Sequence, residues 1–145
     1  MTVKLSTTAR NNRITVIKTL LDAGSTAGSV KFYTEPMPSA CEAITTQTLI
    51  ATCILSKPCG TASGGTLTFD TIADDIVIDN TGIIAFGRFL DSDNNVVADI
   101  DAGMLVIVDG TPTLQPAGAG IIFNQTHAIA GGVAHVISAV LTDNN

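Results

Sequence analysis

Two histidines, three cysteines and thirteen acidic residues are the side chains of this 145-residue sequence best able to hold a metal or move a proton. His127 and His135 do not share a spacing that stacks ligands on one face, as a His-Glu-x-x-His helix does, and both read as ordinary histidines, His127 in a turn and His135 within a strand. Acidic residues gather at Asp70, Asp74, Asp75 and Asp79, and again at Asp91, Asp93, Asp99 and Asp101, so a calcium site or a carboxylate pair has to be weighed. Asp91-Ser92-Asp93-Asn94-Asn95 matches the first residues of an EF-hand loop, but Val96 stands where the loop needs glycine and Ala102 where it needs its closing glutamate. Short Asx residues between two β-branched flanks make a hairpin turn the better reading. No metal, cofactor or catalytic residue is assigned.

Nucleophile and phosphate motifs give the same answer. The sequence contains no Gly-x-Ser-x-Gly elbow, no Gly-x-Gly-x-x-Gly turn and no phosphate loop ending in Gly-Lys. Cys41, Cys53 and Cys59 fit neither a zinc motif nor a Cys-x-x-Cys pair. They read as free thiols of a reducing cytoplasm, with a Cys53–Cys59 bridge as the alternative. One tyrosine and five phenylalanines make a poor platform for stacking bases or sugars. The net charge of −6, with seven basic residues read as scattered, argues against nucleic acid as a partner. The expectation is a protein that is not an enzyme.

Those residues must be positioned by a chain that is 46% hydrophobic and only 14% charged. Many β-branched residues and few charges favour sheet over exposed helix. Residues 1–145 are read as a single domain, long enough to bury a core without staples. No apolar run reaches the length of a membrane span and no secretory leader is recognised, so no membrane partner is expected and synthesis is placed in the cytoplasm.

One helix is expected over residues 6–23, capped by Ser6, Thr7 or Thr8 and ended by Gly24. Its buried stripe is read as Ala9, Val16, Ile17, Leu20 and Leu21, with Arg10, Asn11 and Lys18 turned away, so that Leu20→Asp would bury a charge without a partner. Strands are expected near 29–34, 47–55, 65–70, 75–79, 83–90, 96–101, 104–108, 120–125 and 133–142. All five prolines fall between them, and 35–46 and 111–120 are read as the long loops. The clearest pairing is a hairpin of Ile83–Leu90 with Val96–Ile100 across Asp91–Asn95, in which Phe86 or Phe89 fills the core. The fold class is mainly β: an antiparallel β-sandwich, jelly-roll-like in one form, with one N-terminal α-helix.

Several segments together resemble a family of small virion proteins of tailed bacteriophages. The strand and turn Val30-Lys31-Phe32-Tyr33-Thr34-Glu35-Pro36-Met37-Pro38 and the strand Thr48-Leu49-Ile50-Ala51-Thr52 follow the family's order. Thr81-Gly82-Ile83-Ile84-Ala85-Phe86-Gly87-Arg88-Phe89-Leu90-Asp91-Ser92-Asp93 is similar to its Phe-Arg-Leu-Leu-Asp-Ser-Asp hairpin, with Gly87 inserted between Phe86 and Arg88. The closing segments, Ile121–Asn124 and Ala130-Gly131-Gly132 through Val136-Ile137-Ser138, resemble the family's last two strands. The resemblance implies a β-sandwich located in the virion, most naturally a capsid decoration or cement protein. Its implied partners are the major capsid protein or another virion structural protein and further copies of itself, as a homo-oligomer such as a dimer or trimer. The Thr- and Ala-rich loops 35–46 and 111–120, adaptable and with few charges to desolvate, are the candidate contacts. A tail or neck (head–tail connector) component is the alternative, and a host-surface or carbohydrate-binding module a more distant one.

Overall fold

The computed structural model describes residues 3–143. The described chain is mainly β, with one helix and a curled mixed sheet of sandwich type. Helix α1 (Thr7–Leu21) is followed by β1 (Ser29–Tyr33), β2 (Leu49–Ile54), β3 (Gly60–Ser63), β4 (Thr66–Phe69), β5 (Gly82–Ile83), β6 (Phe86–Leu90), β7 (Val96–Val108), β8 (Thr111–Gln115), β9 (Ile121–Phe123), β10 (His127–Ala128) and β11 (Val136–Thr142). The main sheet runs β2-β1-β6-β7-β9-β11-β4-β3, with β8 added to β7, and β10 pairs separately with β5. Every pairing is antiparallel except β7 with β9, which are parallel.

The expected hairpin is present. Arg88 faces Asp99 and Gly87 faces Ile100 across β6 and β7, while Ile83 lies apart in β5. The turn is closed by the Asp91 carboxylate, whose Oδ1 accepts the amides of Asp93 and Asn95, both at 2.9 Å, with Asn94 in the left-handed region at φ 65°. These bonds hold the Asp91 carboxyl below its ordinary range, the side-chain amide of Asn95 contributing most.

β6 is buried on both faces. On the inner face Phe89 stacks on Phe69 at 4.7 Å, and Phe32 meets Phe123 edge to face at 4.7 Å. Gly87 lies opposite Phe32, and a Cβ there would come within 2.7–2.9 Å of Ile121, Phe32 and Val30. Gly87 therefore sits where the interior leaves no room for a side chain. On the outer face Phe86 stacks on Tyr33 at 5.6 Å. Both phenylalanines are buried, on opposite sides of the sheet.

Four expectations are corrected. The helix buries Ile14 and Leu21, with Ile17 partly covered, whereas Val16 is 58% and Leu20 50% exposed. Arg10, Asn11 and Lys18 lie on its half-buried side instead, the stems of Arg10 and Lys18 packing while their charged ends reach Thr7 and Asp22 at the rim. Leu20→Asp therefore places a charge in solvent rather than in the core. The stretch 111–120 is not simply a loop, since Thr111–Gln115 is β8 and includes Pro112. Residues 75–79 hold only one bridge, Asp75 to Ala134. Finally, 96–101 and 104–108 are one strand, and β3 and β10 were not expected, so His127 lies in a short strand and His135 just before β11.

Candidate interaction surface

The residues singled out for chemistry are mostly absorbed by the fold. Asp75 accepts the amide of Thr52 at 2.8 Å and that of Val77 at 3.0 Å, which pins the 74–78 segment to β2. His135 Nδ1 meets Asp74 Oδ1 at 2.7 Å on the exposed surface, while His127 faces Ile83 in the small sheet. Asp99 holds Arg88. Among the described residues no three His, Cys, Asp or Glu side chains gather as a metal-binding group, and no helix is long and apolar enough to cross a membrane. All three cysteines are free, Cys41 exposed and Cys53 and Cys59 buried.

Arg88 also shapes the 35–46 loop. Its Nη2 donates to the carbonyl of Glu42 at 2.8 Å as well as to Asp99, so the loop is tied down over the outer face of β6. Within it, Glu42 accepts from the Ala40 amide at 2.8 Å and from Ser39 at 3.0 Å, and these bonds hold its carboxyl below the usual range. The loop is a fixed surface and not a loose connection.

A second surface is built by β7 and β8. Leu105 faces Leu114, Val106 faces Thr113 and Val108 faces Thr111, around a turn in which Asp109 and Gly110 sit at φ 49° and 80°. Two consecutive positive φ values are the type I′ signature, and Asp-Gly is among its preferred sequences. β9 pairs with β7 only as far as Met104, so from Leu105 onward β8 is the strand partner β7 has among the described residues. Leu105 and Val108 are nearly half exposed, Pro112 is exposed and Leu114 half-buried. The arm thus carries apolar side chains on both of its faces and one charge, Asp109, at its tip. At its root opens a cleft of about 530 Å³ lined by Glu35, Ile83, Ala85, Pro116 and Thr126 among others.

A third surface is an aliphatic patch made by two segments laced through their main chains. Asp75 and Ala134 exchange amide bonds at 3.2 and 2.8 Å, Ile78 donates to Gly132 at 2.9 Å, and Gly131 donates to Ile78 at 2.8 Å. This lacing leaves Ile76 (73%), Val77, Ile129 (68%) and Val133 more than half exposed together. Asp74 and Asp79, both exposed, flank the patch in sequence.

Charge is divided along the chain in a way that the reading of scattered basic residues overlooked. Lys4, Arg10, Arg13 and Lys18 precede every acidic residue, the first of which is Asp22. The helix is therefore the basic part of an otherwise acidic molecule. Its outward side shows Arg13, Val16 and Leu20.

Sequence reasoning named loops as contact surfaces and missed the arm, the patch and the helix face. The Asp109-Gly110 pair between Val106-Ile107-Val108 and Thr111-Pro112-Thr113 was the signal for the arm. No family model, no curated protein and no solved structure compared with the chain gives a match.

Proposed function

We propose that this chain is a structural component of a tailed-phage particle, a decoration or cement protein that binds the capsid shell. The observation that carries this reading is the β7–β8 arm. A two-stranded hairpin on its own is marginal in water, and this one places aliphatic side chains on both faces. Such an arm is stabilised when another protein covers it. The sequence resemblance to small virion proteins supplies the partner, a shell subunit. The 35–46 loop, tied to Arg88 and reaching the cleft at the root of the arm through Glu35, adds a polar rim of the kind that surrounds a protein contact.

The test is made on purified particles of the phage whose genome carries the chain. The chain should be present at a copy number matching the capsomers of the shell. The paired substitutions Leu105→Lys and Leu114→Glu, which place opposite charges across from each other on one face of the arm, should remove it from particles while leaving its melting temperature close to wild type. Absence of the wild-type chain from particles refutes the reading. A copy number matching a single ring moves it to the neck or tail.

A further inference from the structure

We infer that the cleft at the root of the β7–β8 arm receives a basic side chain, lysine or arginine, from the shell subunit that the arm contacts. The assembly reading is its premise, and what is added is the group that the partner must bring. The cationic head meets Glu35, and the aliphatic stem lies along Ile83, Ala85 and Pro116.

Charge selects this occupant. The cleft, of about 530 Å³, has the size of a small-ligand site. Glu35 is the one charged residue of its lining, and among the described residues the Glu35 side chain has neither an ion pair nor a hydrogen bond. Most of the remaining wall is aliphatic, and its neutral polar residues include Gln115 and Thr126. Thr126 gives its hydroxyl hydrogen to the Met104 sulfur at 3.3 Å, so toward a further group it can only accept. An unpaired carboxylate and spare acceptors above an apolar floor fit a positively charged donor on a long apolar stem, which describes lysine and arginine. The net charge of −6 favours the approach of such a partner.

Placement ties the cleft to the arm. Glu35 is held from both sides before any partner arrives. Thr34 donates its amide to the Thr48 carbonyl at 3.2 Å and accepts the Thr48 amide on Oγ1 at 3.0 Å, while the Pro36 carbonyl accepts from the Gln47 side chain. The facing wall is Gln115, the last residue of β8, and Pro116 after it. Arm and cleft are therefore one continuous surface, and a protein that covers the first lies over the second.

The test uses the isolated chain and three small probes followed by amide NMR: the Nα-acetyl N-methylamides of lysine, arginine and norleucine. The lysine and arginine probes should move the signals of Glu35, Ile83, Ala85 and Gln115, with dissociation constants on the order of millimolar for a single side chain. Norleucine, an apolar stem without the charge, should bind roughly two- to fivefold more weakly, the size of a solvent-exposed charge pair. Glu35→Gln should abolish that preference. Asp109→Asn, which removes the same charge at the tip of the arm, should keep it. Both positions are exposed, and thermal melting confirms that each variant is folded.

Norleucine binding as tightly as lysine, a preference that survives Glu35→Gln or is lost equally in Asp109→Asn, or signals that move elsewhere than at the cleft would each overturn the proposal. Shifts at the cleft that grow with protein concentration in the absence of probe would put a second copy there and overturn it as well. Probe binding by a chain absent from particles supports the cleft's preference and refutes the shell as partner, whereas a chain present in particles that does not bind the probes refutes the cleft alone.

Discussion

Arg88 and Asp99 stand directly opposite each other on β6 and β7 and form a two-pronged ion pair, Nε to Oδ1 at 2.8 Å and Nη2 to Oδ2 at 2.7 Å. Their side chains are only 6% and 3% exposed. The hydrogen bonds that Arg88 donates to Asp99 raise the Arg88 pKa above its already high value, so the guanidinium stays charged. Removing one member strands the other, and breaking such a pair costs about 3–5 kcal/mol, whereas replacing both by apolar residues of similar size is often close to neutral. Asp99→Ala should therefore lower the denaturant midpoint sharply, and Arg88→Met with Asp99→Leu should recover most of the loss. The double variant should still free the 35–46 loop, since the bond to the Glu42 carbonyl is gone, and limited proteolysis at that loop reads this separately from stability.

Gly87→Ala tests the close approach of the two layers. The added methyl group meets Ile121, Phe32 and Val30 at 2.7–2.9 Å, and overpacking of this kind costs about 1–3 kcal/mol. Thermal melting should show the loss. Replacing Gly64, where a Cβ has open space, strains only its own positive φ and should disturb no neighbour.

Asp22 joins the end of α1 to the segment before β3. Burial pushes its pKa up, but hydrogen bonds from Lys18 Nζ and the Cys59 amide, at 2.6 and 2.7 Å, outweigh this and hold it below 3.8. The bond to Asp22 raises Lys18 above 10.5. A depressed carboxyl contributes stability that is present above its unfolded pKa and fades as pH falls through the folded value. A raised ammonium contributes stability that is present below its unfolded pKa and fades as pH rises through the folded one. Asp22→Asn should be less stable than wild type at neutral pH, and the difference should shrink below about pH 4 and again above about pH 10.5. Urea midpoints measured across pH check both limbs.

Thiol reactivity should separate the three cysteines. Burial pushes Cys53 up to about 11 and Cys59 up to about 12, and both are covered. Cys41 is exposed, though partial burial raises it as well. A disulfide reagent at mildly alkaline pH should titrate one thiol in the folded protein and all three in denaturant. Rapid reaction of Cys53 or Cys59 in the folded state would contradict the packing described.

The elements whose local chemistry is unambiguous were legible. Ser6 does cap α1, accepting the Ala9 amide at 3.1 Å, and the Asx-rich 91–95 turn does join β6 to β7. The helix face is ambiguous in sequence because Val16 and Leu20 are as apolar as Ile14 and Leu21, yet only the i, i+3, i+4 row through Ile14 meets the core. The true inner row passes through residues 10–11, 14, 17–18 and 21 and mixes aliphatic residues with long polar stems. β8 was hidden by Pro112, since proline in a strand is expected only at an edge, and β8 is an edge. β3, Gly60-Thr61-Ala62-Ser63, has no large side chain to announce it and is a strand because β4 and the helix lie beside it. The apolar surfaces were invisible for another reason, because pattern alone does not distinguish an aliphatic residue bound for the core from one bound for a neighbour.

The position of β11 between β4 and β9 bears on how the chain is made. β4 pairs with β3 as soon as both have been synthesised, but its other edge waits for Leu141 and Thr142. The N-terminal half therefore leaves the ribosome with an open strand edge, and α1 packs on a half-built layer. The sheet cannot close between β4 and β9 until β11, which lies after both in sequence, has been made. Pairing between strands so distant in sequence is slow, and a chain waiting with an open edge is exposed to aggregation. Short edges and charge are the ordinary protection. Here β4 is only four residues long, and the acidic excess lying beyond the helix keeps waiting chains apart until β11 arrives.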